Sequence, residues 1–134
     1  MKLTVFTDGA SRGNPGLAGF GFVITGENGQ VIKKGYGFLG ETTNNVAEYT
    51  AVLEAFKFIK DNFKDQHQIE VFADSRLIIE QLSGRFKIKS LHLRELFLQI
   101  KSLEENLSQV TYTHVRREQN KTADKLANLG IDRR

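Results

Sequence analysis

The chain contains no cysteine, which rules out a disulfide framework, a thiolate zinc site and a cysteine nucleophile. It contains a single proline, and no proline- or serine-rich stretch marks a linker between domains. No apolar run approaches the roughly 18 residues of a membrane span. The amino-terminal "MKLTVFTDGAS" has one lysine and too short an apolar run for a secretory leader. Internal repeats and segments polar enough to read as disorder are also missing. What remains is one domain over residues 1–134, a length that buries roughly two-thirds of its unfolded surface on folding. The chain is expected to be a cytoplasmic monomer with no membrane association and no obligate protein partner. Its formal charge of +3 suits an anionic partner without singling one out.

The apolar pattern predicts the element order β-β-β-α-β-α-α-β-α. "KLTVFTD", "AGFGFVIT" and "QVIKKGYGFL" are rich in strand-forming residues, and the last two flank "GENG", whose Asn28-Gly29 is a strong hairpin signal. From Asn44 to Lys60 the period changes: Tyr49, Val52, Leu53, Phe56 and Ile59 recur at helical spacing. "QIEVFAD" reads as a fourth strand ending at Asp74. "SRLIIEQLSG" follows as a short helix with Asp74 or Ser75 as its N-cap. "RFKIKS" alternates Arg85, Lys87 and Lys89 with Phe86 and Ile88, and a leucine-rich helix follows. "SQVTYTHV" is a fifth strand, and "NKTADKLANLG" a last helix with Asn120 as N-cap and Gly130 as its stop. Hairpins first and helical crossovers later imply an α/β chain whose five-stranded sheet is mixed.

Residues 4 to 22, "TVFTDGASRGNPGLAGFGF", admit three readings: a phosphate-cradling loop, a hairpin turn, or a carboxylate at a strand end. The lysine and the following helix of a phosphate loop are missing, so the stretch reads as a hairpin turn with Asp8 at its entrance. A right-handed crossover from the first strand to the fourth leaves these two parallel, which sets Asp8 and Asp74 at the same end of the sheet. Glu48 in the first turn of the long helix and Asp124 in the first turn of the last complete a set of four that this topology lets face one point. Each acid taken alone reads as a turn, a cap or a helix-end residue. Together they repel one another, and a divalent cation relieves that repulsion. All-oxygen ligands favour magnesium or manganese, and two ions about 4 Å apart suit in-line phosphodiester attack.

"TDGASRGNPG", "TTNNVAEY", "ADS" and "HVRREQNKTADKLAN" together resemble the type 1 ribonuclease H family, in order and at its spacings, across nearly the whole chain. The resemblance implies the ribonuclease H-like fold and a metal-dependent endonuclease that cuts the RNA strand of RNA–DNA hybrids. By matching position it makes Asp8, Glu48, Asp74 and Asp124 the catalytic ligands of two Mg2+ ions, with Mn2+ as a substitute.

Asn14, Asn44 and Asn45 flank the acids, and each offers an amide suited to a ribose 2′-hydroxyl; alternatively Asn14 is a turn residue of "GNPG" and Asn44 and Asn45 cap the helix. The resemblance favours contact with the hybrid, and it offers Thr43 for a DNA-strand phosphate. His114 lies ten residues before Asp124, where the family has a histidine that assists proton transfer or product release. If His114 instead belongs to the fifth strand, it is structural and Arg116 or Arg117 takes the mobile basic role. The basic protrusion of many bacterial relatives is absent; Arg85, Lys87 and Lys89 form at most a reduced phosphate-binding stripe, which implies weak, salt-sensitive binding. Two competing readings are a non-catalytic nucleic-acid module on the same fold and a nuclease for duplex RNA or junctions, including a reverse-transcriptase-type domain. The complete acidic set speaks against the first, and the three asparagines and a start at Met1 against the second.

Overall fold

The computed structural model describes residues 2–63 and 67–134, so Met1 lies outside it. Strands β1 (Lys2–Gly13), β2 (Gly16–Thr25) and β3 (Val31–Thr42) come first, followed by helix α1 (Asn44–Asn62) and strand β4 (Gln68–Ala73). Helices α2 (Arg76–Leu82) and α3 (Leu91–Glu104), strand β5 (Gln109–His114), a 3-10 turn (Arg117–Gln119) and helix α4 (Lys121–Asp132) complete the chain. The strands lie in the order β3-β2-β1-β4-β5. β1, β2 and β3 pair antiparallel, and β1-β4 and β4-β5 pair parallel, as the crossover argument requires.

Alternation along the strands divides the two faces of the sheet. Phe22 and Ile24 of β2 join Leu3, Val5, Ile69 and Val71 in a core closed by Tyr49, Val52, Phe56 and Ile59 of α1, all buried. Gly21, on the opposite face, lies under α4: a Cβ there would stand 2.5 Å from the Ala127 nitrogen and 2.6 Å from the Ala123 oxygen. This close seat brings the first turn of α4 to the sheet. No helix among the described residues is long and apolar enough to cross a membrane.

Some local expectations are met and others corrected. Thr43, not Asn44 or Asn45, caps α1, its hydroxyl accepting from the Val46 N–H at 3.2 Å. Glu48 therefore sits in the second turn of α1, beyond the first-turn positions that complement the helix dipole. Ser75 caps α2 through the Ile78 N–H at 3.3 Å. Asn120 occupies the N-cap position of α4 as expected, but makes no side-chain cap bond. Gly130 does not stop α4, which continues to Asp132; it lies inside the helix because a Cβ there would come 2.3 Å from the Gly37 carbonyl oxygen. The segment from Gly84 to Ser90 forms no strand, although Ile88 is buried and Phe86 exposed.

Candidate active site

Carboxylate oxygens of Asp8, Glu48 and Asp74 lie within 4.8 Å of one another at the carboxyl end of the parallel strands. The register accounts for two of them, because Phe6 pairs with Phe72 and each acid follows two residues later on its own strand line. Gly9 accounts for the third. A Cβ at Gly9 would stand 2.3 Å from the Glu48 nitrogen and 2.4 Å from the Ala47 carbonyl carbon, so α1 rests directly on this glycine. The missing side chain of Gly9 makes room for α1. The Gly9 N–H donates to Asp8 Oδ1 at 2.9 Å.

Asp124 stands outside this trio, half-buried on α4. Its charge still reaches Asp8 as the smallest of the influences that raise the Asp8 pKa. Burial is the largest of these, and the charges of Asp74 and Glu48 add to it, pushing Asp8 up to about 8. Burial and the Asp74 charge likewise push Glu48 up to about 8, while a hydrogen bond from Ser75 pulls the other way. Two carboxyl groups whose pKa values are both raised by burial and by neighbouring charge, both 8% exposed, mark a site built to receive positive charge. Its donors are all hard oxygens, with no nitrogen or sulfur in the group, which fits magnesium or manganese better than zinc.

The family model described as reverse transcriptase-like matches residues 6–130. The crystal structure of RNase H1 from the halophilic archaeon Halobacterium salinarum superimposes with a TM-score of 0.93, covering 100% of both chains at 35% identity. The chain belongs to the type 1 ribonuclease H family. Within this family it is 38% identical over 134 residues to the bifunctional protein Rv2228c of Mycobacterium tuberculosis, covering 98% of this chain. It spans only about a third, 36%, of the length of that relative. LC11-RNase H1, from a compost metagenome and solved in complex with an RNA/DNA hybrid, matches at 41% identity with a TM-score of 0.88. That match covers 98% of this chain and 97% of the other.

The remaining positions suggested by the ribonuclease H resemblance are placed unevenly. Asn14 and Asn44 come together: Asn14 Oδ1 accepts from the Asn44 N–H at 3.2 Å, tying the β1-β2 turn to the start of α1. Asn45 is half-buried beside them, and Thr43 uses its hydroxyl as the α1 cap. His114 is the last residue of β5, paired with Ala73, and its Nε2 lies 3.2 Å from the Asp74 carbonyl oxygen. This is the strand placement, with Arg116 and Arg117 following it at the 3-10 turn, both exposed. Arg85 is engaged by Glu80 through two bonds, of 2.7 and 2.8 Å, while Lys87 and Lys89 are exposed. The three cations therefore do not form an evenly presented stripe.

Two polar residues were missed as parts of the site. Ser75, read only as a cap, also bonds Glu48. Asn120, likewise read only as a cap, directs its side-chain amide at Asp74. The serine in "ADS" stands next to a ligand candidate and offered a signal; the direction of the Asn120 side chain depends on Thr7 and Asp74, 113 and 46 positions away.

Proposed function

We propose that this chain is a metal-dependent endonuclease that hydrolyses the RNA strand of RNA–DNA hybrids, with residues 1–134 acting as one catalytic unit, monomeric and cytoplasmic. The convergence of Asp8, Glu48 and Asp74 carries the proposal. Support for the hybrid as substrate comes from the hybrid-bound relative LC11-RNase H1.

In this reading Asp8, Glu48 and Asp74 hold two divalent ions, with Asp124 as the fourth acidic ligand. The chemistry such ions supply when bound is activation of a water for in-line attack and charge stabilisation at the leaving 3′ oxygen. Asp8 and Asp74, on adjacent strands, hold the centre of the site, and Glu48 closes it from α1. Asn14, Asn44 and Asn45 offer amide donors and acceptors to a ribose 2′-hydroxyl, the group that separates RNA from DNA. Thr43 lies at the same edge for a DNA-strand phosphate, and Lys87 and Lys89 grip phosphates further along. Arg85 joins them on leaving Glu80. Arg116 and Arg117 supply the mobile basic group near the scissile phosphate, because His114 is held at the Asp74 carbonyl.

Labelled hybrid, duplex RNA and duplex DNA incubated with the protein and magnesium test the reading. RNA fragments are expected from the hybrid alone. Equal cleavage of duplex RNA, or none of any substrate, would overturn it.

A further inference from the structure

We propose that Asn120 is a positioning residue that sets Asp74 and the neighbouring element ends for the divalent cation. The inference rests on the metal-dependent reading above. Asn120 is 1% exposed and is the residue immediately before α4. Its Nδ2 donates to the Thr7 carbonyl oxygen at 2.9 Å and to Asp74 Oδ2 at 3.3 Å. Its own carbonyl accepts from the Asp124 N–H at 3.1 Å. One residue thus touches β1 next to Asp8, touches Asp74 itself, and touches the main chain of Asp124.

The chemistry of the contacts fixes the amide's orientation. Both partners of Nδ2 are acceptors, so the reversed amide would set an oxygen against a carbonyl and a carboxylate. In the orientation seen, Oδ1 is buried and has no hydrogen-bond partner among the described residues. A residue serving only to start a helix would spend that oxygen on the first-turn N–H groups, with an extended backbone. Asn120 makes no such bond, and its φ of −122° and ψ of 27° lie outside the extended region. The side chain leaves an acceptor unmet in order to place a donor on the carboxylate. Groups that orient metal ligands in this way act on affinity through the ligand they hold.

The substitutions Asn120→Ser and Asn120→Ala separate the two roles. Serine is as good a helix cap as asparagine, but its hydroxyl is too short to span Thr7 and Asp74. Calorimetric titration of the metal-free chain with Mn2+ is expected to show affinity about 10-fold or more weaker in both variants, the usual size of such an effect. On a hybrid at saturating Mg2+, kcat is expected to fall while KM stays within about twofold of the parent value. In the unaltered protein, the Asn120 side-chain 15N–1H resonances are expected to shift as Mg2+ is added, a readout that survives should a variant fail to fold. Unchanged Mn2+ affinity in a folded Asn120→Ser variant, or side-chain resonances that ignore Mg2+, would overturn the inference while leaving the metal-dependent reading intact. Failure of the unaltered protein itself to bind Mn2+ would overturn both.

Discussion

Replacing Asp8 with asparagine removes one charge from a trio whose oxygens lie within 4.8 Å of each other, and should stabilise the metal-free protein. Two unit charges about 5 Å apart repel by roughly 3 kcal/mol at an effective dielectric constant of about 20. Asp8 faces two such neighbours, and its pKa stands at about 8 against an ordinary value of 3.8. At about 1.36 kcal/mol per pKa unit, the largest penalty this shift allows is about 6 kcal/mol. Because the folded-state pKa is raised, no penalty exists below about pH 4; it accumulates as pH climbs and is complete above about pH 8. Asparagine keeps the oxygen that accepts from the Gly9 N–H and abolishes the charge. Near pH 5 the variant should gain about 1 kcal/mol, and at pH 9 at least about 3 kcal/mol, the repulsion from one of the two neighbours alone. At roughly 3–4 °C per kcal/mol for a chain of this size, Asp8→Asn should melt at least about 10 °C above the parent at pH 9. Circular-dichroism melts in chelator at pH 5, 7 and 9 measure this. A variant that melts below the parent at pH 9, or whose gain shrinks as pH rises, would refute the electrostatic reasoning.

Magnesium at about 100 times its Kd should raise the parent's stability by about 2.7 kcal/mol, and Asp8→Asn should lose most of that increment in parallel melts. Gly9→Ala puts a methyl 2.3 Å from the Glu48 nitrogen, so α1 must move; overpacking of this kind costs about 1–3 kcal/mol, and hybrid cleavage should fall with it. Hybrid affinity should fall steeply with salt, and Lys87→Ala with Lys89→Ala should reduce the slope of log K against log salt by about 2, one per phosphate contact. A slope unchanged by the double substitution would remove these lysines from the interface.

The element order was legible because the change from strand alternation to helical spacing at Asn44 is strong, and because right-handed crossovers leave little choice of strand order. Asp8 and Asp74 were legible for the same reason, since strand ends follow from topology, whereas the place of Glu48 depends on how closely α1 rests on Gly9. What escaped depends on close approach between distant segments. Gly9 reads in the sequence as part of a hairpin turn, yet the backbone of α1, nearly forty residues on, rests on it. Gly130 reads as a stop, yet it is the point at which α4 meets Gly37. Asn120 carries the composition of a cap, and only the placement of Thr7 and Asp74 shows its amide engaged elsewhere. Arg85, Lys87 and Lys89 alternate in sequence, but the Glu80 pairing of Arg85 breaks the pattern in space.

The proposed function requires the carboxylate trio for metal-dependent cleavage of the RNA strand in a hybrid. The most direct measurement is the release of fragments from an RNA-labelled hybrid by the parent protein and by Asp74→Asn, each with magnesium and with excess chelator. Cleavage by the parent with magnesium alone, and none by Asp74→Asn, is the predicted result. Fragments released by Asp74→Asn, or by the parent in chelator, would contradict it.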